Sequence, residues 1–106
     1  MAINWNRAFA LEQAGGDEDL LRELLIIFTD TLTTNRQKVE EALAAGDSLQ
    51  LARAAHSVKG SASSLGFPEI ADMANAVETQ ARGGGCHAPE FLAKLQALEE
   101  MLPSLA

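Results

Sequence analysis

The chain has 106 residues, of which 47% are hydrophobic and only 5% aromatic, with one cysteine and a formal net charge of −7. This length predicts one domain over residues 1–106, a lone cysteine excludes an internal disulfide, and no apolar run approaches the roughly 18 residues that span a membrane. Because phosphate backbones are bound through clustered Lys and Arg, the acidic balance argues against a nucleic-acid partner. We expect a cytoplasmic protein that contacts neither nucleic acid nor membrane, and we expect it to be a monomer.

A short helix is predicted at the start of the chain. It runs from about Asn4 to Ala14 and ends at Gly15, because glycine readily takes the left-handed conformation that terminates helices. Trp5 and Phe9 are four residues apart, so both are expected on one side of this helix. We expect this aromatic pair to close one end of the hydrophobic core.

A long second helix follows. Asp17 is a good N-cap, and the helix is expected to run to about Ala45 and to end at Gly46. Asn35 falls on its inner, apolar face, where we expect a hydrogen-bonded interior amide. Three apolar residues widen that face near the start of the helix, where the first helix is expected to pack: Leu25, Ile26 and Ile27.

Three more helices are predicted, bounded by caps, glycines and prolines. They span about Asp47 to Gly66, Pro68 to Gly83 and Pro89 to Pro103. Gln50 stands in capping-box position after Asp47. Four amphipathic helices with short connections and no alternating strand pattern predict an all-α fold. We expect an antiparallel up-and-down four-helix bundle with the short N-terminal helix as a lid.

The third helix presents a histidine on its outer face. Its apolar stripe consists of five residues: Leu51, Ala55, Val58, Ala62 and Leu65. At about 100° per residue, His56 lies roughly 140° from the centre of that stripe and is expected to point into solvent. Lys59 follows one turn later at the border of the stripe, and Gly60 and Ser63 lie beside His56. An exposed imidazole with a nearby cation and little surrounding bulk indicates a nucleophile.

Three basic residues of this acidic chain lie on the two helices around that histidine: Arg53, Lys59 and Arg82. Together they predict a local positive spot, although ordinary surface charges would produce the same pattern. Glu78 lies at the edge of the apolar stripe of the fourth helix, so neighbouring helices could bring its carboxylate to His56. The sequence alone leaves open whether these two edges face each other.

The run AHSVKGSASSLGF, residues 55–67, resembles the signature of histidine-containing phosphotransfer (HPt) domains, the relay modules of bacterial multistep two-component signalling. The pattern continues with Ile70, Glu78 and Arg82, and the resemblance covers nearly the whole chain. It implies that His56 accepts a phosphoryl group from a receiver-domain aspartate and passes it on. It also implies that Glu78, at a position where the family often has Gln or Glu, hydrogen-bonds and orients that histidine.

The resemblance and the chemistry of phosphoryl transfer give roles to the surrounding residues. Because phosphoryl transfer needs charge neutralisation and positioning, Lys59 is expected to stabilise the phosphoryl oxygens and Arg82 to contact the phosphate or the partner. Gly60 would let the partner approach closely, which explains a glycine that costs a helix interior about 1 kcal/mol relative to alanine. Partner contacts are expected from four residues: Arg53, Ser57, Ser63 and Arg82.

Motifs for nucleotide or metal chemistry are absent from the sequence. It has no glycine-rich phosphate loop, no Walker-type lysine and no carboxylate cluster with metal-ligand spacing. We therefore expect a phosphocarrier without a kinase site, a cofactor or a metal of its own. The resemblance implies that Mg²⁺ is held by the partner, a receiver domain of a response regulator or of a hybrid sensor histidine kinase.

Two other interpretations stay open. The chain could be the phosphoacceptor domain of a chemotaxis-type histidine kinase, which ATP-bound catalytic domains phosphorylate directly, or a docking or inhibitory bundle without phosphoryl chemistry. A hydrolytic enzyme lacks support, because no nucleophile–base–acid set is present. The sequence does not decide between a free-standing protein and an excised domain, although Met1 and the segment from Pro103 to Ala106 look like natural ends.

Overall fold

The computed structural model describes residues 3–105, which fold into five α-helices and one 3₁₀ turn and contain no β-strand. The elements are α1 (Arg7–Gln13), α2 (Glu18–Ala45), α3 (Ser48–Ser64), α4 (Pro68–Arg82), α5 (Pro89–Met101) and the 3₁₀ turn Leu102–Ser104. No helix in this part of the chain combines the length and hydrophobicity needed to cross a bilayer. Met1, Ala2 and Ala106 lie outside the described residues, so the expected natural ends stay a prediction, as does the single domain over residues 1–106.

Helices α2 to α5 form the predicted bundle. The most extensive packing is between α3 and α4; α3 also packs on α2, and α5 lies against both α2 and α4. The four helices therefore close into a ring in which consecutive helices are neighbours, and the short connections make those neighbours antiparallel. The long dimension of the protein is 41 Å, close to the length expected of α2. The predicted all-α bundle is confirmed.

Local capping signals fix the starts of α2 and α3. The Asp17 carboxylate accepts hydrogen bonds from two amides in the first turn of α2, and the Asp47 carboxylate accepts one from the Gln50 amide. The prediction of a complete capping box was wrong, because the Gln50 side chain does not accept a hydrogen bond from the Asp47 amide. The Gln50 side-chain amide donates to Glu41 at 3.4 Å, while the Asp47 amide donates to the carbonyl of Ala42.

The aromatic end of the core differs from the prediction. α1 begins later than expected, with Asn6 as its N-cap, so Trp5 precedes the helix and does not share a face with Phe9. Phe9 is 38% exposed, which makes the prediction that it closes the core wrong. Trp5 instead stacks on Phe67, with 5.9 Å between ring centroids, and its Nε1 donates to the Leu65 carbonyl at 2.9 Å.

The apolar face of α2 is narrower at its start than predicted. Leu25 is buried as expected, but Ile26 and Ile27 are 52% and 61% exposed. α1 has only 7 residues and touches α2 lightly, so it leaves both isoleucine side chains uncovered. The prediction that α1 would cover them was wrong.

An ion pair connects α5 to α2. Arg36 donates to both carboxylate oxygens of Glu99, from Nε at 2.8 Å and from Nη2 at 3.1 Å, and Thr33 donates to Glu99 at 2.9 Å. The hydrogen bonds from Arg36 hold the pKa of Glu99 below its usual range. A bidentate pair of this kind has a defined geometry, so it sets the position of α5 along α2.

Gly66 connects the α3–α4 turn to the segment before α1. Its φ is +82°, and its carbonyl accepts a hydrogen bond of 2.7 Å from the Asn6 amide. A Cβ at this position would lie 2.5 Å from the Asn6 carbonyl oxygen. Glycine is therefore required both by the left-handed backbone and by the close approach of a second chain segment.

We expect Gly66→Ala to destabilise the protein more than the matched change Gly46→Ala. Both glycines have positive φ, +82° and +67°, so alanine strains the backbone by about 1–2 kcal/mol at either position. Only at Gly66 does the new methyl group also overlap another segment, which adds about 1–3 kcal/mol. Urea unfolding followed by circular dichroism measures both losses, and equal losses would show that the contact with Asn6 is unimportant.

Candidate functional site

The predicted nucleophile lies on the solvent side of α3. The side chain of His56 is 63% exposed, and its Nδ1 lies 3.0 Å from Oε2 of Glu78 on α4. These two helices share the most extensive packing in the bundle, so the helix edges that the sequence left unassigned do face each other. The fold thereby joins two side chains that are 22 positions apart in the chain.

Glu78 is the centre of the site. Its side chain is only 9% exposed, and both of its carboxylate oxygens have partners. Oε1 accepts a hydrogen bond from Lys59 Nζ at 2.8 Å, and Oε2 accepts two from Arg82, from Nε at 3.0 Å and from Nη2 at 2.8 Å. A carboxylate withdrawn from water is unfavourable unless it is paired. Here two cations from two different helices compensate for that withdrawal.

The two cations keep this carboxylate ionised. The hydrogen bond from Lys59, followed by those from Arg82, lowers the pKa of Glu78 from 4.5 to about 2, against the opposing effect of burial. An ionised carboxylate only accepts hydrogen bonds, so the neutral imidazole of His56 carries its proton on Nδ1. Nε2 is then left with the free lone pair that a nucleophile requires.

Lys59 and Arg82 both bind Glu78, the carboxylate that contacts His56. Lys59 makes one hydrogen bond to Oε1, whereas Arg82 makes two to Oε2. Together with a neutral imidazole, one carboxylate and two cations leave the cluster with one net positive charge. Such a cluster favours an approaching anion.

An open cavity of about 560 Å³ lies beside His56, between α2 and α3. On the α3 side it is bounded by small residues: Ser57, Gly60, Ser61 and Ser64. A Cβ built on Gly60 would meet no atom within 4 Å, so packing within the protein does not require glycine at this position. The small wall leaves the imidazole accessible from the side of α2.

Sequence reasoning missed the apolar wall of this cavity. Ile27 was expected to lie under α1, yet its exposed side chain lines the same cavity as His56. Leu24 and Thr31 lie beside it on α2, since residues three and four apart share a helix face. The signal that could have found this wall was a row of apolar residues just outside the buried stripe of α2.

Arg53 and Ser63, two of the predicted partner contacts, form no hydrogen bond or ion pair with the cluster among the described residues. Arg53 is exposed and lines a separate cavity together with Ser57. Ser63 lies two turns after His56 and borders a depression near Pro68. Ser57 borders both the cavity beside His56 and the one that contains Arg53. The predicted set is thus divided between the central cluster and its surroundings.

Comparison with known proteins identifies relatives over most of the chain. A family model described as "Hpt domain" matches residues 23–106. The chain is 33% identical over 99 residues to the signal transduction histidine-protein kinase BarA of Shigella flexneri, and 32% identical to BarA of Escherichia coli strain K12. Each match covers 93% of this chain but only 11% of the relative. The chain therefore spans about a ninth of the length of the curated relatives it matches.

Solved structures share the fold. The histidine-containing phosphotransfer protein B (HptB) from Pseudomonas aeruginosa PAO1 superimposes with a TM-score of 0.84 at 25% identity, covering 99% of this chain and 92% of that one. The HPT domain of a sensor hybrid histidine kinase from Shewanella gives a TM-score of 0.83 at 20% identity, covering 95% and 92% of the two chains. This second likeness, at lower identity, bears on the fold alone.

We expect the Glu78 carboxyl group to titrate with a midpoint of about 2. Lys59→Met should raise this midpoint more than Arg82→Met, because the hydrogen bond from the lysine is the larger cause of the lowered pKa. Arg22→Met, which removes an exposed cation paired with Asp19, is the control and should leave the midpoint unchanged. Carbon-13 NMR of the side-chain carboxyl group follows each titration.

The lowered pKa of Glu78 also makes the free energy of unfolding depend on pH. Because the folded-state pKa of Glu78 lies below the unfolded value of about 4.5, ionised Glu78 stabilises the fold above that pH. This contribution is lost as the pH falls through about 2. A wild-type midpoint near the ordinary value would show that the ion pairs with Lys59 and Arg82 do not persist in solution.

Proposed function

The chain belongs to the Hpt domain family of two-component phosphorelays, and from this premise we propose that it carries a phosphoryl group on His56 between aspartates of receiver domains. The observation that supports this most directly is the exposed imidazole whose Nδ1 is hydrogen-bonded to ionised Glu78. In the neutral imidazole, this bond places the proton on Nδ1 and leaves the lone pair of Nε2 free. A phosphocarrier needs an accessible nitrogen in this state.

The transfer step can be written with these groups. The Nε2 lone pair of His56 attacks the phosphorus of a receiver aspartyl phosphate, so an N–P bond forms while the O–P bond breaks and the aspartate leaves as a carboxylate. The imidazole ring gains positive charge because Nδ1 keeps its proton. The Glu78 carboxylate, 3.0 Å from Nδ1, stabilises that charge where it develops. Transfer to a second receiver reverses each of these changes.

Lys59 and Arg82 are proposed to divide the remaining roles. Lys59 is held to Glu78 by one hydrogen bond, so its ammonium group can turn to the phosphoryl oxygens once they arrive. Arg82 is held by two hydrogen bonds and stays on the carboxylate. We therefore assign Lys59 to the charge of the phosphoryl group and Arg82 to the placement and ionisation of Glu78.

The proposed partners are receiver domains of response regulators, of hybrid sensor histidine kinases, or of both. We propose that the chain acts as a monomer without a cofactor and that Mg²⁺ is held by the receiver. The groups around His56 support the placement of Mg²⁺ on the receiver, because Lys59 and Arg82 flank the single carboxylate of Glu78 and would repel a divalent cation. The activities of the much longer BarA kinases are not implied by a match to 11% of their length.

We expect a radiolabelled receiver domain with Mg²⁺ to label the wild type and His87→Gln but not His56→Gln. His87 is the second histidine of the chain and lies exposed before α5, so its replacement is a matched control. Label that is labile in acid and stable in base identifies a phosphohistidine. Equal labelling of His56→Gln and the wild type would refute the proposal.

The same assay distinguishes the other interpretations. Label from an ATP-bound kinase catalytic domain, with none from any receiver, would favour the phosphoacceptor domain of a chemotaxis-type kinase. Receiver binding without any phosphohistidine, and unaffected by His56→Ala, would favour a docking bundle.

We also expect Gly60→Ala to stabilise the bundle while slowing transfer. Since a Cβ at this position meets open space, alanine should add about 0.5–1 kcal/mol to the free energy of unfolding through its helix propensity. The added methyl group stands beside the imidazole and obstructs a receiver, but not a small phosphoryl donor such as phosphoramidate. The rate of transfer from the receiver should therefore fall relative to labelling by phosphoramidate, and an unchanged ratio would remove the access role of Gly60.

A further inference from the structure

Lys38 and Arg53 stand apart from the other basic residues of the chain. Within residues 3–105, six of the eight Lys and Arg side chains form an ion pair: Arg7, Arg22, Arg36, Lys59, Arg82 and Lys94. Lys38 and Arg53 form none there, although the chain has 15 Asp and Glu residues. Two cations without an internal partner in so acidic a protein are available to an external anion.

Both cations line one cavity of about 390 Å³ between α2 and the first half of α3. The inner part of this cavity contains Asn35, whose side-chain Nδ2 donates to Ser57 Oγ at 3.0 Å and whose exposure is only 5%. We call the group formed by Lys38, Arg53, Asn35 and Ser57 the cationic notch. Its two cations lie beside the hydrogen-bonded pair of Asn35 and Ser57.

Within the described part of the chain, no acidic residue lining the cavity forms an ion pair with the two cations of the notch. Asp47 is the acidic residue on its wall, and the Asp47 carboxylate accepts the hydrogen bond of 3.0 Å from the Gln50 amide that caps α3. Among the described residues, Asp47 forms no ion pair with Lys38 or Arg53. The notch therefore retains an excess of positive charge.

The notch adjoins the nucleophile. Ser57 borders both the notch and the apolar cavity beside His56. Arg53 precedes His56 by three residues on α3, so their Cβ atoms lie on one face, roughly 5–6 Å apart. On α2, one edge at helical spacing runs from the apolar cavity to the notch: Leu24, Ile27, Thr31 and Lys38.

We propose that the cationic notch binds an acidic side chain of the receiver domain and thereby fixes the orientation of the receiver over His56; this inference rests on the proposed relay function. The apolar cavity and the notch lie on either side of His56 along the groove between α2 and α3. A receiver whose aspartyl phosphate reaches the imidazole spans both. The receiver would place an aliphatic side chain in the cavity and a carboxylate in the notch. These two contacts together define how the receiver is rotated about His56, whereas either contact alone would not.

The notch also selects among receivers. A receiver with an acidic residue at the matching position gains attraction to Lys38 and Arg53 during the encounter, whereas one with Lys or Arg there is repelled. Because the notch lies at the surface, its effect falls mainly on the rate of association and depends on ionic strength.

The test uses the labelled receiver domain that transfers fastest to the wild-type chain. We expect the double variant Lys38→Glu, Arg53→Glu to slow this transfer by about tenfold at low ionic strength, with a smaller difference at high salt. The control is Arg7→Glu, Arg22→Glu, which changes the formal charge equally at residues that line neither cavity. Transfer rates are normalised to labelling by phosphoramidate, and circular dichroism reports helicity.

A charge exchange identifies the occupant of the notch. Each acidic surface residue of that receiver that surrounds its Mg²⁺ site without being part of it is replaced by lysine in turn. We expect one replacement to slow transfer to the wild type and to restore transfer to Lys38→Glu, Arg53→Glu. If no replacement restores it, the notch does not bind an acidic side chain of the receiver.

The outcomes separate this inference from the relay function. A wild-type chain that no receiver labels overturns the relay and the notch together. If the receiver labels the wild type and the double variant Lys38→Glu, Arg53→Glu at the same rate, only the proposed role of the notch is overturned. The role of the notch is also overturned if the transfer rate falls equally in Lys38→Glu, Arg53→Glu and in the control Arg7→Glu, Arg22→Glu. In that case net charge rather than the position of the charges controls the rate.

Discussion

One nearly buried carboxylate connects the proposed nucleophile to the packing of this domain. Glu78 on α4 binds the imidazole of His56 and the ammonium of Lys59 on α3, together with the guanidinium of Arg82 one turn further along α4. Since an unpaired carboxylate at this depth would be unfavourable, the two cations that pair with Glu78 stabilise the fold, apart from the roles proposed for them in transfer. The pairing also holds the facing edges of α3 and α4 in register, which gives His56 a fixed tautomer and a fixed orientation.

Features that depend on near neighbours in the sequence were predictable. Asp17 and Asp47 mark the starts of α2 and α3 because capping is a local interaction, and Pro68 marks α4 because proline suits the first turn of a helix. The exposure of His56 followed from the helical period, and the bundle followed from the amphipathic helices and their short connections. The signature lies within residues 23–106, which the family model matches.

Features that depend on distant neighbours were not predictable. Phe9 and Ile27 were expected in the core, but the start of α1 and the small area that it covers leave both side chains exposed. Glu78 could be placed at a helix edge, while its three partners became evident only once α3 and α4 were packed. Lys38 was overlooked for a similar reason. It is notable because it forms no ion pair among the described residues, and a sequence does not show which charges remain unpaired.

The ion pair between Arg36 and Glu99 lies on the flank of α2 away from His56, and it anchors α5 to the bundle. The exposed side chains along the groove between α2 and α3 take no part in this ion pair, and the buried residues beneath them hold these two helices together. Such exposed residues are free to diverge under selection for recognition with little loss of stability. Duplicated copies of such a domain could thus become insulated from one another's signalling partners through surface substitutions alone, while the phosphoryl chemistry stays unchanged.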